Sequence, residues 1–226
     1  MNQIQIKDIE TERLMLKIPT INEQNKLWSI IKEEKINKYY FPTPDRIFNK
    51  YNLLKDKVED LLTARSIFQE QLNDWNRQEV FYNKKILDIY NEENSQKFTW
   101  SIFLKDGTII GQMTVQPSDY YPNNPEIRDV GWFIDSEFQK KGYAVEAAKA
   151  ILDFMFNEVE IEQILTSAAI INPGSWRIME KLGFKFNGNK ASTYLDDNNN
   201  IIECCHYSVT KQEYMEFNNQ KKLKQI

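Results

Sequence analysis

Apolar and polar positions along this chain switch between the period of a strand and the period of a helix. Thr11–Ile18 alternates around Leu14 and Leu16, as a half-buried strand does. Pro19 ends the run. Thr20-Ile21-Asn22-Glu23 then reads as a capping box, in which the Thr hydroxyl and the Glu carboxylate satisfy N–H groups at a helix start. That helix is expected to reach about Glu34, with Leu27, Trp28, Ile30 and Ile31 turned inward. Phe98–Leu104 and Thr108–Val115 are two strands joined by the turn Lys105-Asp106-Gly107. Gln116–Pro125 is a loop rich in Pro, Asn and Tyr, and Val130–Ile134 is an apolar strand. Ala144, Ala147, Ala148, Ile151, Leu152 and Met155 fall on one face of a long helix. Gln163–Ile170 is a strand. Asn172-Pro173-Gly174-Ser175 opens a short helix through Leu182, with Gly183 where a left-handed C-terminal residue is wanted. Phe184–Leu195 and Ile201–Val209 make a second hairpin around Asp196–Asn200. Lys211–Lys222 reads as a terminal helix, and Lys221-Lys222-Leu223-Lys224 as a solvated tail.

Residues 35–96 follow neither period cleanly. Tyr39-Tyr40-Phe41-Pro42-Thr43-Pro44 is an aromatic, proline-broken segment. From about Arg46, Leu54, Val58, Leu61, Leu62, Phe68, Leu72 and Trp75 recur at near-helical spacing, and a further helix is expected over Glu79–Tyr90. Strands with helices between them make an α/β (α+β) single domain spanning 1–226, with a helical insertion at about 35–96 and a C-terminal tail at about 211–226.

Composition narrows the chemistry. At 41% hydrophobic and 13% aromatic residues the chain is globular rather than disordered. No apolar run approaches the roughly 20 residues that span a bilayer, and Met1-Asn2-Gln3-Ile4-Gln5 has no basic region before an apolar core, so the cytoplasm is the expected location. The net charge of −4 argues against general nucleic-acid binding. Cys204 and Cys205 are adjacent, which offers no disulfide framework and reads as packing within a strand. His206 is the one histidine, and no zinc spacing or G-x-S-x-G elbow accompanies it, so neither a protein-bound metal nor a Ser-His-Asp hydrolase is expected.

The chemistry concentrates at Gln139-Lys140-Lys141-Gly142-Tyr143-Ala144, between the strand Val130–Ile134 and the long helix. A helix N-terminus presents unpaired N–H groups and the positive end of its dipole, so it suits a phosphate. Gly142 permits a positive φ and close backbone approach, and Lys140 and Lys141 add positive charge. A cofactor carrying a pyrophosphate is the expected ligand. Asn172, before Pro173, reads as a helix cap, a ligand contact, or both.

Taken together, these segments resemble the GNAT acetyltransferase superfamily, and within it the ribosomal-protein N-acetyltransferase-like (Rim-type) branch. Asp129-Val130-Gly131-Trp132-Phe133-Ile134-Asp135 looks like that branch's EIGYWI strand. Gln139 to Ala144 is similar to its pyrophosphate loop, Asn172 and Ser175 to its N-x-x-S, and Glu180-Lys181-Leu182-Gly183-Phe184 to its EKLGF signature. Thr11-Glu12-Arg13-Leu14-Met15-Leu16 resembles its opening strand. The likeness covers roughly residues 8–34 and 97–210, and residues 35–96 exceed the branch's connection.

The resemblance implies a mixed, mostly antiparallel central sheet flanked by helices, with acetyl-CoA as co-substrate. Its pantetheine arm would pair with backbone around Phe133, Ile134 and Asp135, and its pyrophosphate would lie on Gln139, Lys140, Lys141, Gly142, Tyr143 and Ala144. Asn172 and Ser175 would meet the arm, with Ser175 as a candidate proton donor to the departing thiolate. The reaction implied is direct attack of a primary amine on the thioester in a ternary complex, and the amine must lose a proton to attack. Glu126 and Asp129 are the candidate bases, with Glu126 placed first for its reach. Tyr39, Tyr40 and Phe41 are candidates to line the acceptor side, the insertion being a lid in one reading and extra core or a dimer contact in the other. The acceptor would be a protein N-terminus or a small amine such as an antibiotic or polyamine, handled by a monomer or homodimer. A competing reading keeps the fold and drops the chemistry, giving a CoA-sensing or protein-binding module.

Overall fold

The computed structural model describes residues 6–31, 33, 36, 51–54, 57–74, 97–118, 120–195, 198 and 200–223. In chain order its elements are β1 (Ile9–Glu10), β2 (Leu14–Lys17), α1 (Ile21–Ile31), α2 (Val58–Asp74), β3 (Phe98–Leu104), β4 (Ile109–Pro117) and β5 (Ile127–Ile134). They continue with α3 (Tyr143–Asn157), β6 (Gln163–Ala169), α4 (Pro173–Lys181), β7 (Lys185–Leu195), β8 (Ile201–Thr210) and α5 (Lys211–Leu223). The strands form one sheet in the order β1-β2-β3-β4-β5-β6-β8-β7. Every neighbouring pair is antiparallel except β5 and β6, which run parallel. This is the mixed, mostly antiparallel α/β sheet expected.

Alternation along the strands splits the sheet into two unlike faces. On one face Leu14, Leu16, Trp100, Ile102, Met113, Val115, Val130 and Ile134 meet Ile151, Leu152 and Met155 of α3 in the main core. On the other face Phe133 packs against Leu27, Ile30 and Ile31 of α1, together with Ile36. The α1 face is more polar. Thr99 and Thr114 are buried there with their hydroxyls 3.1 Å apart, and Ser101 is fully buried beside them.

Several boundaries differ from the sequence pattern for local reasons. The strand expected from Thr11 begins at Leu14, because the Leu14 N–H donates to Thr11 Oγ1 and the Thr11 N–H to the Leu14 carbonyl, closing a turn. At the start of α1, Glu23 accepts from the Thr20 N–H, as a capping box requires, while Thr20 Oγ1 takes the Asn22 N–H. β5 begins three residues earlier than its apolar run.

The terminal helix expected over Lys211–Lys222 is present as α5, and it packs on the domain rather than trailing from it as a tail. Tyr214 is buried, and its hydroxyl donates to Asp153 Oδ1 at 2.8 Å on α3. Burial and the Asp153 carboxylate push that phenol far above its ordinary value. Phe217 closes over Gly183, whose φ of +86° marks the end of α4. α2 falls within the expected helical insertion, and Leu61 and Ala64 are buried on it among the residues whose side chains are described. The helix expected over Glu79–Tyr90, and Tyr39, Tyr40 and Phe41, lie outside the described residues. Among the described residues no helix is long and apolar enough to cross a membrane.

Candidate active site

The parallel pair β5/β6 is incomplete. Ile127, Arg128 and Asp129 face Gln163, Ile164 and Leu165, and no pairing follows although both strands continue, β5 to Ile134 and β6 to Ala169. Two parallel strands that part in this way leave a wedge-shaped gap with backbone groups along both edges.

Alternation identifies those groups. The Glu126 carbonyl accepts from the Glu162 and Gln163 N–H groups, so even-numbered residues of β5 turn their backbone toward β6. The Asp135 N–H donates to the Ile110 carbonyl, so odd-numbered residues turn theirs toward β4. Val130, Trp132 and Ile134 therefore present backbone to the gap, and Phe133 and Asp135 do not. Gln139 Nε2 donates to the Ile134 carbonyl at 2.9 Å, which leaves the Ile134 N–H directed at the gap. Across from them the odd-numbered residues of β6, Ser167 and Ala169, line the other edge.

This geometry revises the reading of Phe133, Ile134 and Asp135 as a backbone trio. Ile134 alone keeps that place. The Phe133 side chain anchors α1. The Asp135 carboxylate is buried, accepts from the Glu137 N–H and lies 3.8 Å from Lys26 Nζ.

Beyond the gap, the chain makes a short 3₁₀ turn at Ser136–Phe138 and enters the glycine loop. Lys140 has φ +61° and Gly142 φ +84°. Gly142 is the N-cap of α3, and no side chain caps that helix. The first N–H groups of α3 are thus free of side-chain caps where positive potential is greatest. Gln139, Lys140, Lys141 and Gly142 are exposed, with Tyr143 and Ala144 half-buried.

On the other side of the gap, Asn172 is the N-cap of α4, with Pro173 in its first turn. Its side chain makes no capping bond, so the cap reading describes its position only. Ser175 is half-buried, and its N–H donates to the Asn172 carbonyl.

The two candidate carboxylates stand differently. Asp129 is the last β5 residue to pair with β6, is half-buried, and shares the α1 face with Phe133. Glu126 is exposed and sits about 10 Å back along the strand from Asp129, at the closed end of the pair. Between Asp129 and Phe133 on the same face lies Gly131, which is exposed and where an added Cβ would meet nothing within 4 Å among the described residues. Among those residues the face beside Asp129 is thus uncovered at the apex of the gap.

Two features were not found from the sequence. Thr11 and Arg13 close on Glu146 in the first turn of α3: Thr11 Oγ1 donates to Oε1 at 2.7 Å, the Arg13 N–H to Oε1 at 2.8 Å, and Arg13 Nε to Oε2 at 2.6 Å. Arg13 Nη1 also donates to the Lys141 carbonyl at 3.0 Å, and the guanidinium lies 4.7 Å from the centre of the Tyr143 ring. The one available signal was Thr-x-Arg ahead of an apolar strand.

The second feature is His206. It pairs with Ser167 on the gap edge, on the α1 face with Asp129. The edge of Tyr120 from the β4–β5 loop approaches it, ring centres 5.8 Å apart, and Lys190 Nζ lies 4.8 Å from the Tyr120 ring. Burial, and then the charge of Lys190, push this imidazole below its ordinary value.

A family described as the acetyltransferase (GNAT) domain matches residues 13–185, from Arg13 on the loop to the start of β7. The chain belongs to the GNAT family. Among curated relatives, the uncharacterized N-acetyltransferase YnaD of Bacillus subtilis (strain 168) is 32% identical over 97 residues, 42% of this chain and 54% of that protein. The match thus spans about half the length of that relative. Among solved structures, spermidine N-acetyltransferase from Vibrio cholerae, in complex with CoA and spermine, superposes with a TM-score of 0.63 at 15% identity, covering 91% of this chain and 99% of that one. Ribosomal-protein-S5-alanine acetyltransferase from Vibrio fischeri gives 0.62 at 16% identity, with 92% and 98% covered. At these identities the structural likeness speaks for the fold, and the GNAT assignment rests on the family match.

Proposed function

We propose that this GNAT protein is an acetyl-CoA-dependent N-acetyltransferase acting on a primary amine, either a protein N-terminus or a small-molecule amine. The observation that carries the reading is the parting of β5 from β6 after Asp129 and Leu165, directly ahead of an uncapped helix N-terminus. Bound acetyl-CoA supplies an activated acyl group as a thioester. The chain's own groups fit such a ligand. N–H and C=O groups of Trp132 and the N–H of Ile134 can pair with the amides of an extended arm, as an added strand would. Amides at Gly142 to Val145, with Lys140 and Lys141, can hold a pyrophosphate.

Asp129 is the proposed base. It flanks the uncovered face at Gly131, and it can take a proton from an incoming ammonium directly or through one water. Glu126, exposed at the closed end, ranks behind it on this geometry. An N–H on the β5 edge stabilises the charge that develops on the thioester oxygen. Ser175, at the start of α4, is the proposed donor to the departing thiolate. Spermidine and a ribosomal-protein alanine, named for two fold neighbours, define the acceptor classes to test first.

The test is amine-dependent thiol release from acetyl-CoA across a panel of N-terminal peptides and polyamines. Release with at least one class supports the enzyme. CoA binding without amine-dependent release from any acceptor contradicts it and favours a CoA-sensing module.

A further inference from the structure

The anion-binding end of α3 carries an internal contradiction. Glu146 lies in the first turn of the helix whose amides face the loop, so its carboxylate competes for the same positive potential that a phosphate would use. Burial works against its charge, but hydrogen bonds from Thr11 and from the Arg13 N–H and guanidinium hold the carboxyl below its usual range.

The compensation comes from the far end of the chain. Thr11 Oγ1, tied to the Leu14 N–H, and both Arg13 donors converge on the two Glu146 oxygens. Arg13 is then steered over the loop itself, through the Lys141 carbonyl and the Tyr143 ring. A Cβ added at Gly142 would lie 3.3 Å from Arg13 Nη2, so the guanidinium borders the spot where the backbone is barest.

We infer that Arg13 is a positioning residue of the cofactor site, which neutralises Glu146 so that the α3 N-terminus can accept the pyrophosphate of acetyl-CoA. The inference rests on the acetyl-CoA reading above. Removing the guanidinium leaves the Glu146 carboxylate facing the incoming phosphates, and removing both charges restores the balance. A role confined to stability gives no such recovery in affinity.

The experiment is a double-mutant cycle read by titration calorimetry with CoA. Arg13→Gln is expected to weaken CoA binding about tenfold or more, since a truncated charge pair exposes its partner. Glu146→Gln is expected to bind as tightly as wild type or tighter. Arg13→Gln combined with Glu146→Gln is expected to return to within about threefold of wild type. Arg13→Gln is expected to weaken binding of CoA more than binding of S-acetylpantetheine, which lacks the pyrophosphate. Unchanged affinity in Arg13→Gln, or a double variant no tighter than Arg13→Gln, overturns the inference. If thermal melting finds Arg13→Gln unfolded, the folded double variant decides: affinity within about threefold of wild type is expected, and a tenfold loss overturns the inference. Failure of wild type to bind CoA refutes the acetyl-CoA reading itself, whereas tight wild-type binding with insensitive variants refutes only the role of Arg13.

Discussion

Asp129 and Leu165 form the last pair between the two parallel strands, and the gap opens from that pair. Asp129 therefore combines a fixed backbone, a half-buried carboxylate and a place on a face uncovered among the described residues. Asp129→Asn is expected to lower kcat by about 10²–10⁴, the usual worth of a positioned base, with little effect on the acetyl-CoA KM. Glu126→Gln is expected to stay near wild type. A large loss in Glu126→Gln alone, with Asp129→Asn active, would reverse the ranking.

Gly131 provides a separate handle on the acceptor. Among the described residues a Cβ there meets nothing within 4 Å, so Gly131→Leu adds bulk beside Asp129. The acceptor KM is expected to rise several-fold or more while the melting temperature and CoA affinity hold. An unchanged acceptor KM would move the amine's approach elsewhere.

His206 titrates in a direction that links stability to pH. Its folded value lies below the ordinary 6.5, through burial first and Lys190 second. The unfolded chain then binds the proton more readily, so this contribution to stability is complete above about pH 6.5 and is lost as pH falls toward the folded value. The melting temperature is expected to drop on acidification below about 6.5, and less steeply in His206→Gln. Identical slopes in the two proteins would contradict the assignment. The same neutral imidazole faces the α1 side near the gap edge, so His206→Gln belongs in the kinetic series as a check on Asp129.

Gly183 holds α5 to the end of α4. With φ +86° and a built Cβ only 2.6 Å from Phe217 Cγ, Gly183→Ala meets both backbone strain and overpacking. A loss of about 2–4 kcal/mol in chemical denaturation is expected. A loss below about 0.5 kcal/mol, the range of ordinary surface substitutions, would mean α5 packs loosely.

What was legible in the sequence was local. The glycine loop, the α3 stripe from Ala144 to Met155 and the Asn172–Ser175 helix start are each carried by neighbours within a few turns, and each stands where the pattern put it. Arg13 and Glu146 escaped because they are 133 residues apart, and neither shows alone that the other neutralises it. The order of Glu126 and Asp129 escaped because it depends on where β6 stops pairing, a tertiary event that no strand pattern encodes. Phe133 and Asp135 were misread by one position, since which edge a residue turns to the gap is set by its register against β4. The α5 helix itself was legible, but its docking was not, because Tyr214 is its one buried position.

Acetyl-CoA is proposed to lie in the gap beyond Asp129 and on the loop at Gly142, and calorimetric titration of CoA into wild type and Gly142→Glu decides whether it does. Gly142 is exposed, so a glutamate there adds bulk and negative charge at the phosphate position, and because φ +84° strains any side chain, melting must show that the variant is folded. One CoA is expected to bind per wild-type chain, with binding weakened about 100-fold or more in a Gly142→Glu protein that still melts cooperatively. Equal CoA affinity in the two folded proteins would contradict it.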